Sequence, residues 1–325
     1  MFQKLIVVTL LNFGLHRTAS ACDFCMLGQG LNPYLTATGK GITLDSSFTA
    51  SNSVYNRDST IDSKGKKESW LVYSLTGFYP VTEDLTLLLT LPFAMKNNYD
   101  YDSASNSRPG STTQGIGDMS LTGRYTFSRI HTLENTWLNG ILVGLKAPTG
   151  AVNARDSEGA FLDRHVQSGT GSFDYNLGLT SSFSSAKGYQ LTADFVYSFS
   201  GPGKWGDRDH RYGDSINASA KVFYKVTPVE RVENSLYIFT GPLLESTGKE
   251  KGVQGNSGYN TDLINDSTGG IVMLWDFGVY MPLTPQTIFN VSFAKAFYHD
   301  MNQSDLFDAD PSEDYKIDLS LSFLF

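Results

Sequence analysis

The chain has 325 residues, of which 40% are hydrophobic and 18% charged, and its 33 acidic against 25 basic residues give a formal net charge of −8. This acidic balance argues against a nucleic-acid partner, because proteins that hold phosphate backbones carry an excess of Lys and Arg. The mean hydropathy of −0.21 looks ordinary. A transmembrane β-barrel has such a mean too, because its lipid-facing residues alternate with polar residues that face the lumen.

The first 21 residues have the pattern of a cleaved signal peptide. Lys4 precedes an apolar run from Leu5 to Leu15, and Ala19-Ser20-Ala21 is a small-residue cleavage site. No later stretch approaches the roughly 18 to 20 apolar residues that a membrane helix needs. We therefore expect the remaining chain to be exported and, if it sits in a membrane, to do so as a barrel.

Residues 22–40 form a predicted periplasmic N-terminal segment that carries the only cysteines of the chain, Cys22 and Cys25. In an oxidising compartment the pair can form a local disulfide or stay as inert thiols. A redox, metal-binding or thiol-tethering role is a second interpretation, although two thiols do not complete a four-ligand zinc site. A lipid on Cys22 is a third. If the pair is functional, we expect a periplasmic partner, such as a redox protein, to dock there.

From residue 41 onward, segments with an apolar and a polar face at a period of two follow one another to the end. They predict an all-β fold, an antiparallel transmembrane β-barrel of about 12 strands over residues 41–325. The predicted strands are 41–55, 70–80, 85–95, 115–128, 137–148, 172–184, 189–200, 215–226, 234–244, 268–281, 287–298 and 315–325.

The predicted connections support the barrel. Long polar loops begin near residues 56, 96, 149, 201, 245 and 299, and short turns lie near residues 82, 129, 186, 227 and 284. Long and short connections alternate without exception, as in outer-membrane barrels, whose short turns face the periplasm. A soluble sandwich does not require this alternation.

The last strand indicates how the barrel is assembled. Its apolar face includes Tyr315, Phe323 and the final residue Phe325, which resembles the assembly signal of bacterial outer-membrane proteins. The alternative is a buried last strand of a secreted sandwich. The first interpretation implies contact with the barrel assembly machinery, and with the lipid and lipopolysaccharide of a Gram-negative outer membrane.

Three stretches carry a further resemblance: residues 115–125, 144–150 and 168–179, which include Gly-Ile-Gly-Asp, Lys-Ala-Pro-Thr-Gly and Ser-Gly-Thr-Gly. Together they resemble the "MetA-pathway of phenol degradation" family of outer-membrane proteins, over roughly the central half to two thirds of the chain. The resemblance implies a channel for small, often hydrophobic or aromatic, molecules, and the Cys22–Cys25 pair departs from it. An architectural role also explains these glycines and Pro148, since they lie where loops meet strands.

Alternation places charged side chains of both signs in the predicted lumen. They either pair with one another and hydrate the interior, or form a constriction that selects solutes by charge. The candidates are Asp118, Arg124, Lys146, Asp174, Asp194, Lys221, Lys225, Asp276, Lys295, Lys316 and Asp318.

These patterns predict a porin-like channel that passes a small-molecule solute through a narrow lumen of mixed charge. The second hypothesis is a non-conducting structural barrel whose Cys22–Cys25 segment binds a partner. We predict no catalytic, cofactor or metal site. Four of the five histidines of the chain fall in the mature part, at turns, loops or a strand edge, and none has the surroundings of a hydrolase site; they are His131, His165, His210 and His299.

Overall fold

The computed structural model describes residues 40–56, 59–61, 67–99, 111–156, 159, 161–162, 164–227, 235–255, 258–264, 268–302 and 312–325. The predicted signal peptide, and Cys22 and Cys25 with nearly all of their segment, lie outside these residues, so their roles stay predictions. Among the described residues, no helix is long and apolar enough to cross a membrane.

The described part of the chain is almost entirely β-structure, with one short 3₁₀ helix, Arg164–Val166. The strands are β1 (Gly41–Ser51), β2 (Val54–Asn56), β3 (Ser59–Ile61), β4 (Lys67–Pro80), β5 (Leu85–Tyr99), β6 (Ser111–Ile116), β7 (Met119–His131), β8 (Asn135–Ala147), β9 (Asp174–Ser185), β10 (Tyr189–Phe199), β11 (Gly203–Trp205), β12 (Arg208–His210), β13 (Ser215–Lys225), β14 (Tyr237–Thr247), β15 (Lys251–Gly255), β16 (Gly258–Ile264), β17 (Gly270–Thr284), β18 (Thr287–Met301) and β19 (Tyr315–Leu324).

Twelve strand positions close into an antiparallel barrel, as predicted. The order is β4-β1-β19-β18-β17-β14-β13-β10-β9-β8-β7-β5, and β5 pairs back with β4. The strands β6 and β7 follow one another along β5 and fill one position. First and last strands meet in a continuous register from Gly41 opposite Leu324 to Ala50 opposite Tyr315. Closure leaves the barrel without a free edge, so its backbone groups are paired within the wall.

The two ends of the barrel differ, as the alternation of loops predicted. At one end the described turns are short: residues 81–84, 132–134, 186–188 and 285–286 join neighbouring strands. The Phe325 amide donates to the Lys40 carbonyl at 2.9 Å, so both lie at this short-turn end. At the other end the loops carry the hairpins β2–β3, β11–β12 and β15–β16. None of these hairpins was predicted: residues 54–55 of β2 were assigned to the first barrel strand, which ends at Ser51, and the other hairpin residues were assigned to the polar loops.

The outer surface of the barrel is an apolar belt. In β5, for example, Leu87, Leu89 and Leu91 are 38%, 46% and 37% exposed, while Leu88 between them is 4% exposed and faces inward. A soluble protein rarely exposes apolar residues in a continuous band, so the belt is suited to lipid. Tyr315, Phe323 and Phe325 are on this outer face. Their part in assembly stays a prediction.

The belt makes a first prediction. We expect Leu89→Arg to lower the free energy of unfolding in lipid vesicles by about 2–4 kcal/mol, the cost of a charge on a barrel's lipid face. Leu133→Arg is the control, since Leu133 is fully exposed in a short turn. Denaturant titration of tryptophan fluorescence measures both. Equal stabilities would contradict a lipid-facing belt.

Candidate functional site

The lumen is the candidate functional site, because alternation turns the polar face of every barrel strand inward. Burial alternates with the predicted phase along the strands that carry the charged candidates. The structure places the following predicted residues on the inner wall or at its outer rim: Asp118, Arg124, Lys146, Asp174, Asp194, Lys221, Lys225, Asp276, Lys316 and Asp318.

The prediction that Lys295 faces the lumen is wrong. Lys295 lies directly opposite Tyr315 on β19 and Trp275 on β17, two residues of the outer face. It continues the outward phase of Phe293, while the inner face of β18 there is the buried Ala294. Its polarity suggested the lumen, but the phase of its own strand sets its side. A long aliphatic stem allows such a lysine to reach the interfacial region from the lipid face.

A cluster of polar groups connects β7, β8 and β9 at the loop end of the barrel, the end opposite the short turns, which we call the outer rim. The Lys146 Nζ lies 2.6 Å from the Asp174 carboxylate and 3.8 Å from that of Asp118. Asp118 also accepts hydrogen bonds from the Gly150 amide at 2.9 Å and from the amide and hydroxyl of Thr170 at 2.7 Å each. All three stretches behind the family resemblance meet here, which sequence spacing alone did not indicate.

Two ion pairs span non-adjacent strands on the opposite side of the lumen. The Lys221 Nζ lies 2.5 Å from the Asp276 carboxylate. Gly241 lies between them on β14, opposite Asp276 in register, and has no side chain to obstruct the contact. Lys316, only 1% exposed, binds the carboxylates of Glu245 and, at 2.8 Å, of Glu313.

Sequence reasoning missed three inward-facing carboxylates. Asp45 accepts a hydrogen bond from the Ser74 hydroxyl at 3.4 Å. Its inward orientation could have been predicted from the alternation of apolar and polar residues in its own strand. Glu245 fell just beyond the predicted end of its strand, and Glu313 was assigned to a loop. Both carboxylates bind Lys316. Glu245 lies on β14, which β17 and β18 separate from β19, so no local pattern reveals that pair; Glu313 precedes Lys316 by only three residues.

An apolar collar at the short-turn end of the lumen was also missed. Its members come from strands on nearly opposite sides of the barrel, because β1, β19, β18 and β17 separate β4 from β14. They are the buried Phe78, Leu88, Phe239, Tyr280 and Ile288, against which Phe223, Tyr237 and Leu324 pack. Bulky side chains packed inside a barrel of this size must narrow its lumen. The available signal was the loss of alternation, as in Leu87-Leu88-Leu89, where both faces are apolar.

At the outer end, a buried carboxylate joins three loops. The Glu250 carboxylate lies 2.5 Å from the Arg164 Nε, 3.6 Å from the His165 Nε2 and 3.7 Å from the His210 Nε2. The Tyr212 hydroxyl donates to the Arg164 carbonyl at 3.0 Å. Burial alone would raise the pKa of Glu250, but the positive charge of Arg164, together with the two histidines, outweighs it and holds the pKa below its ordinary value of 4.5.

Comparison with known proteins bears on the fold. No family model and no curated protein matches the chain, so the family resemblance stays a prediction. An outer membrane channel from Pseudomonas putida F1 superposes with a TM-score of 0.64 at 17% identity, over 89% of this chain and 96% of the channel. The fold is that of an outer-membrane barrel.

Two further structures are more distant. The beta domain of the Bordetella autotransporter BrkA has a TM-score of 0.47 at 7% identity, over 89% of this chain and 100% of that one. The CymD monoaromatic hydrocarbon channel has a TM-score of 0.41 at 11% identity, over 95% of each chain. At such values these two carry no argument about function.

The buried Lys316 generates a second prediction. We expect Lys316→Met to lower the free energy of unfolding by about 3–5 kcal/mol, because two buried carboxylates lose their cation. Lys295→Met is the matched control and should be near neutral, since Lys295 faces outward. Denaturant unfolding in vesicles measures both, and a larger loss from the Lys295 change would refute the orientation of the two side chains.

The Glu250 cluster generates a third prediction. Because the folded pKa is depressed, its stabilising effect is present at neutral pH and is lost as pH falls below 4.5 through the folded value. Hydrogen exchange of residues 164–171, corrected for intrinsic rates, should show this loss. Glu250→Gln should remove the protection at neutral pH as well. Asp209→Asn, which breaks only the exposed pair with Lys204, should not. Equal protection in all three proteins would contradict the role of Glu250.

Proposed function

We propose that the protein is a passive channel in a Gram-negative outer membrane, passing small solutes through a narrow lumen. The observation that carries the proposal is the contrast between the two faces of the barrel wall. The outer face is an apolar belt, and the inner face has charged, amide and hydroxyl side chains on strands that run the length of the barrel. Such an inner face is suited to water and polar solutes rather than to a packed core.

The inner charges support a lumen of mixed sign. Lys146, Lys221 and Lys316 each hold carboxylates, so most of the charge is compensated at close range. A wall of paired charges interacts favourably with water and polar solutes, but it does not produce a strong electrostatic potential of one sign. We therefore expect weak overall ion preference, with selectivity set where the lumen is narrowest.

The apolar collar is the proposed narrow part. Hydrophobic constrictions resist ions, because ions lose hydration there without gaining compensating contacts. A small conductance is therefore expected.

Widening the collar gives the fourth prediction. We expect the purified, refolded barrel to show discrete, small conductance steps in planar bilayers, and Phe239→Ala to raise the step size severalfold. Phe239 packs against Phe223 with ring centroids 4.9 Å apart, so truncation opens the collar. Phe293→Ala is the control, since Phe293 is 44% exposed on the outer face.

Two results would overturn the proposal at different levels. Unchanged conductance in Phe239→Ala would show that the collar is not the constriction. Silence of both proteins, when heat-modifiable gel mobility shows that they are folded, would exclude an open channel.

A further inference from the structure

A crevice of about 410 Å³ opens near the loop end of the barrel, at the top of the outer face of β10, β13 and β14. Its lining includes a row of three outward side chains, Tyr197, Ile216 and Ser246, which lie directly opposite one another in register. The strands cease to pair one position beyond this row. The crevice therefore lies at the upper edge of the apolar belt.

The rest of the lining is rich in positive charge. Arg211 comes from the segment that precedes β13, and Lys249 and Lys251 come from the segment that follows β14. Both lysines are exposed to solvent. One carboxylate, Asp214, also lines the crevice. This local excess of cations contrasts with the formal net charge of −8 of the whole chain, and we call the site the basic crevice.

The backbone holds two of these cations side by side. Arg211 and Lys251 lie directly opposite each other in an antiparallel bridge. The Arg211 amide donates to the Lys251 carbonyl at 3.1 Å, and the Lys251 amide donates to the Arg211 carbonyl at 2.8 Å. Like charges at directly opposite positions destabilise the pairing of their strands. An anion bound between the two side chains would remove this repulsion.

The carboxylates closest in sequence to these cations are already balanced. Asp214 lies 3.0 Å from the Arg211 guanidinium and accepts a hydrogen bond from the Tyr197 hydroxyl at 3.1 Å. Glu250, which stands between the two lysines in the sequence, is 3% exposed and is paired with Arg164. The positive charge of the lysines therefore remains available to a ligand in the crevice.

An apolar surface continues directly below the basic crevice. The next outward row consists of Phe195, Ala218 and Leu244, again opposite one another in register, and Phe195 is 42% exposed. A groove of about 420 Å³ follows on the same face, where the small residues Ala193 and Ala220 lie opposite each other. An amphiphile with its anionic group in the crevice can therefore place an apolar chain along this face.

We propose that the basic crevice binds a phosphate of lipopolysaccharide, a glycolipid that carries its phosphates on a sugar head group above several acyl chains. Arg211 supplies planar donors and the two lysines supply point charges, and both kinds of group suit phosphate. A basic cluster beside an apolar membrane surface is typical of anionic-lipid recognition. This inference rests on the proposed location in an outer membrane, with the loop end facing outward, and does not require an open channel.

Native mass spectrometry of the refolded barrel in neutral detergent tests the site, with divalent cations chelated so that they cannot bridge anions. The probe is diphosphorylated lipid A, the membrane anchor of lipopolysaccharide. Dephosphorylated lipid A lacks the phosphates, glucosamine 1-phosphate lacks the acyl chains, and phosphatidylglycerol is an anionic lipid without the sugar. We expect diphosphorylated lipid A to bind most tightly of the four.

The test variant carries Lys249→Gln and Lys251→Gln together. It should bind diphosphorylated lipid A about tenfold or more weakly, the combined effect of two basic residues near an anionic head group. Arg211 is left unchanged, because it also holds Asp214 in place. The backbone bonds between positions 211 and 251 do not depend on the lysine side chain.

A matched control removes two cations at the short-turn end instead. It carries Arg129→Gln and Lys187→Gln, which break pairs with Asp84 at 3.2 Å and with Glu134 at 3.7 Å. The change in net charge is the same as in the test variant, so lipid A binding should equal that of the unaltered protein. Heat-modifiable gel mobility establishes that each variant is folded.

Each other outcome overturns a stated part of the proposal. Equal lipid A binding by the unaltered protein and the test variant would refute the site, and a loss confined to the control would refute its position at the loop end. Equally tight binding of dephosphorylated lipid A would refute phosphate recognition. Glucosamine 1-phosphate bound as tightly would assign the crevice to a soluble anion, and phosphatidylglycerol bound as tightly would refute lipopolysaccharide as the ligand.

Conductance of the same proteins in planar bilayers separates the site from the channel. If the barrel is silent yet binds lipid A through the two lysines, the channel is refuted and the site stands. If the barrel conducts but the test variant binds lipid A as the unaltered protein does, the site is refuted and the channel stands.

Discussion

The structure depends on pairing of every strand with two neighbours. In an apolar surrounding, an unpaired backbone amide or carbonyl costs several kcal/mol, so a sheet can be embedded there only if it has no edge. Pairing of β1 with β19 removes the edge. Closure then fixes which face of each strand is inside, and a shift of register by one residue would turn every Leu of the belt into the lumen and every Asp out into lipid. The apolar belt and the charged interior are therefore two consequences of one register.

Inside the barrel, side chains meet across strands that are not neighbours, and small residues decide which of them can do so. Gly241 leaves room for Lys221 to reach Asp276, and Ala294, opposite Lys316 in register, leaves room for that lysine to extend toward Glu245. The collar has the same dependence: a Cβ at Gly278 would overlap the Phe239 ring. The inner wall thus combines long side chains with positions that have little or no side chain.

Sequence predicted the outside of this molecule well and the inside less well. Strand number, the alternation of loops and the belt all follow from a strong local signal, since a strand such as β5 repeats Leu on every second residue. The collar has no such signal, because Leu88 and Phe78 make both faces of their strands apolar. Lys295 was misplaced because residue type was given more weight than phase.

The contacts across the lumen could not be predicted from the sequence, for a different reason. Which residues share a depth depends on the stagger that accumulates around the barrel, and the sequence of one strand does not contain it. The convergence of Asp118, Lys146 and Thr170 at the outer rim could not be anticipated from three separated motifs, even though each motif was recognised.

The distribution of apolar and polar groups gives the lumen two unlike sides. Apolar residues of β14, β17 and β18 form one inner surface, with Leu243, Val272, Leu274 and Ala294 buried above the collar. Across the barrel, β7, β8 and β9 carry the rim cluster at the loop end and the buried polar side chains of Thr122, Arg124 and Asn176 nearer the collar. In the proposed channel, a solute passes along these same strands, so a change that loosens the rim cluster is expected to affect passage as well as stability.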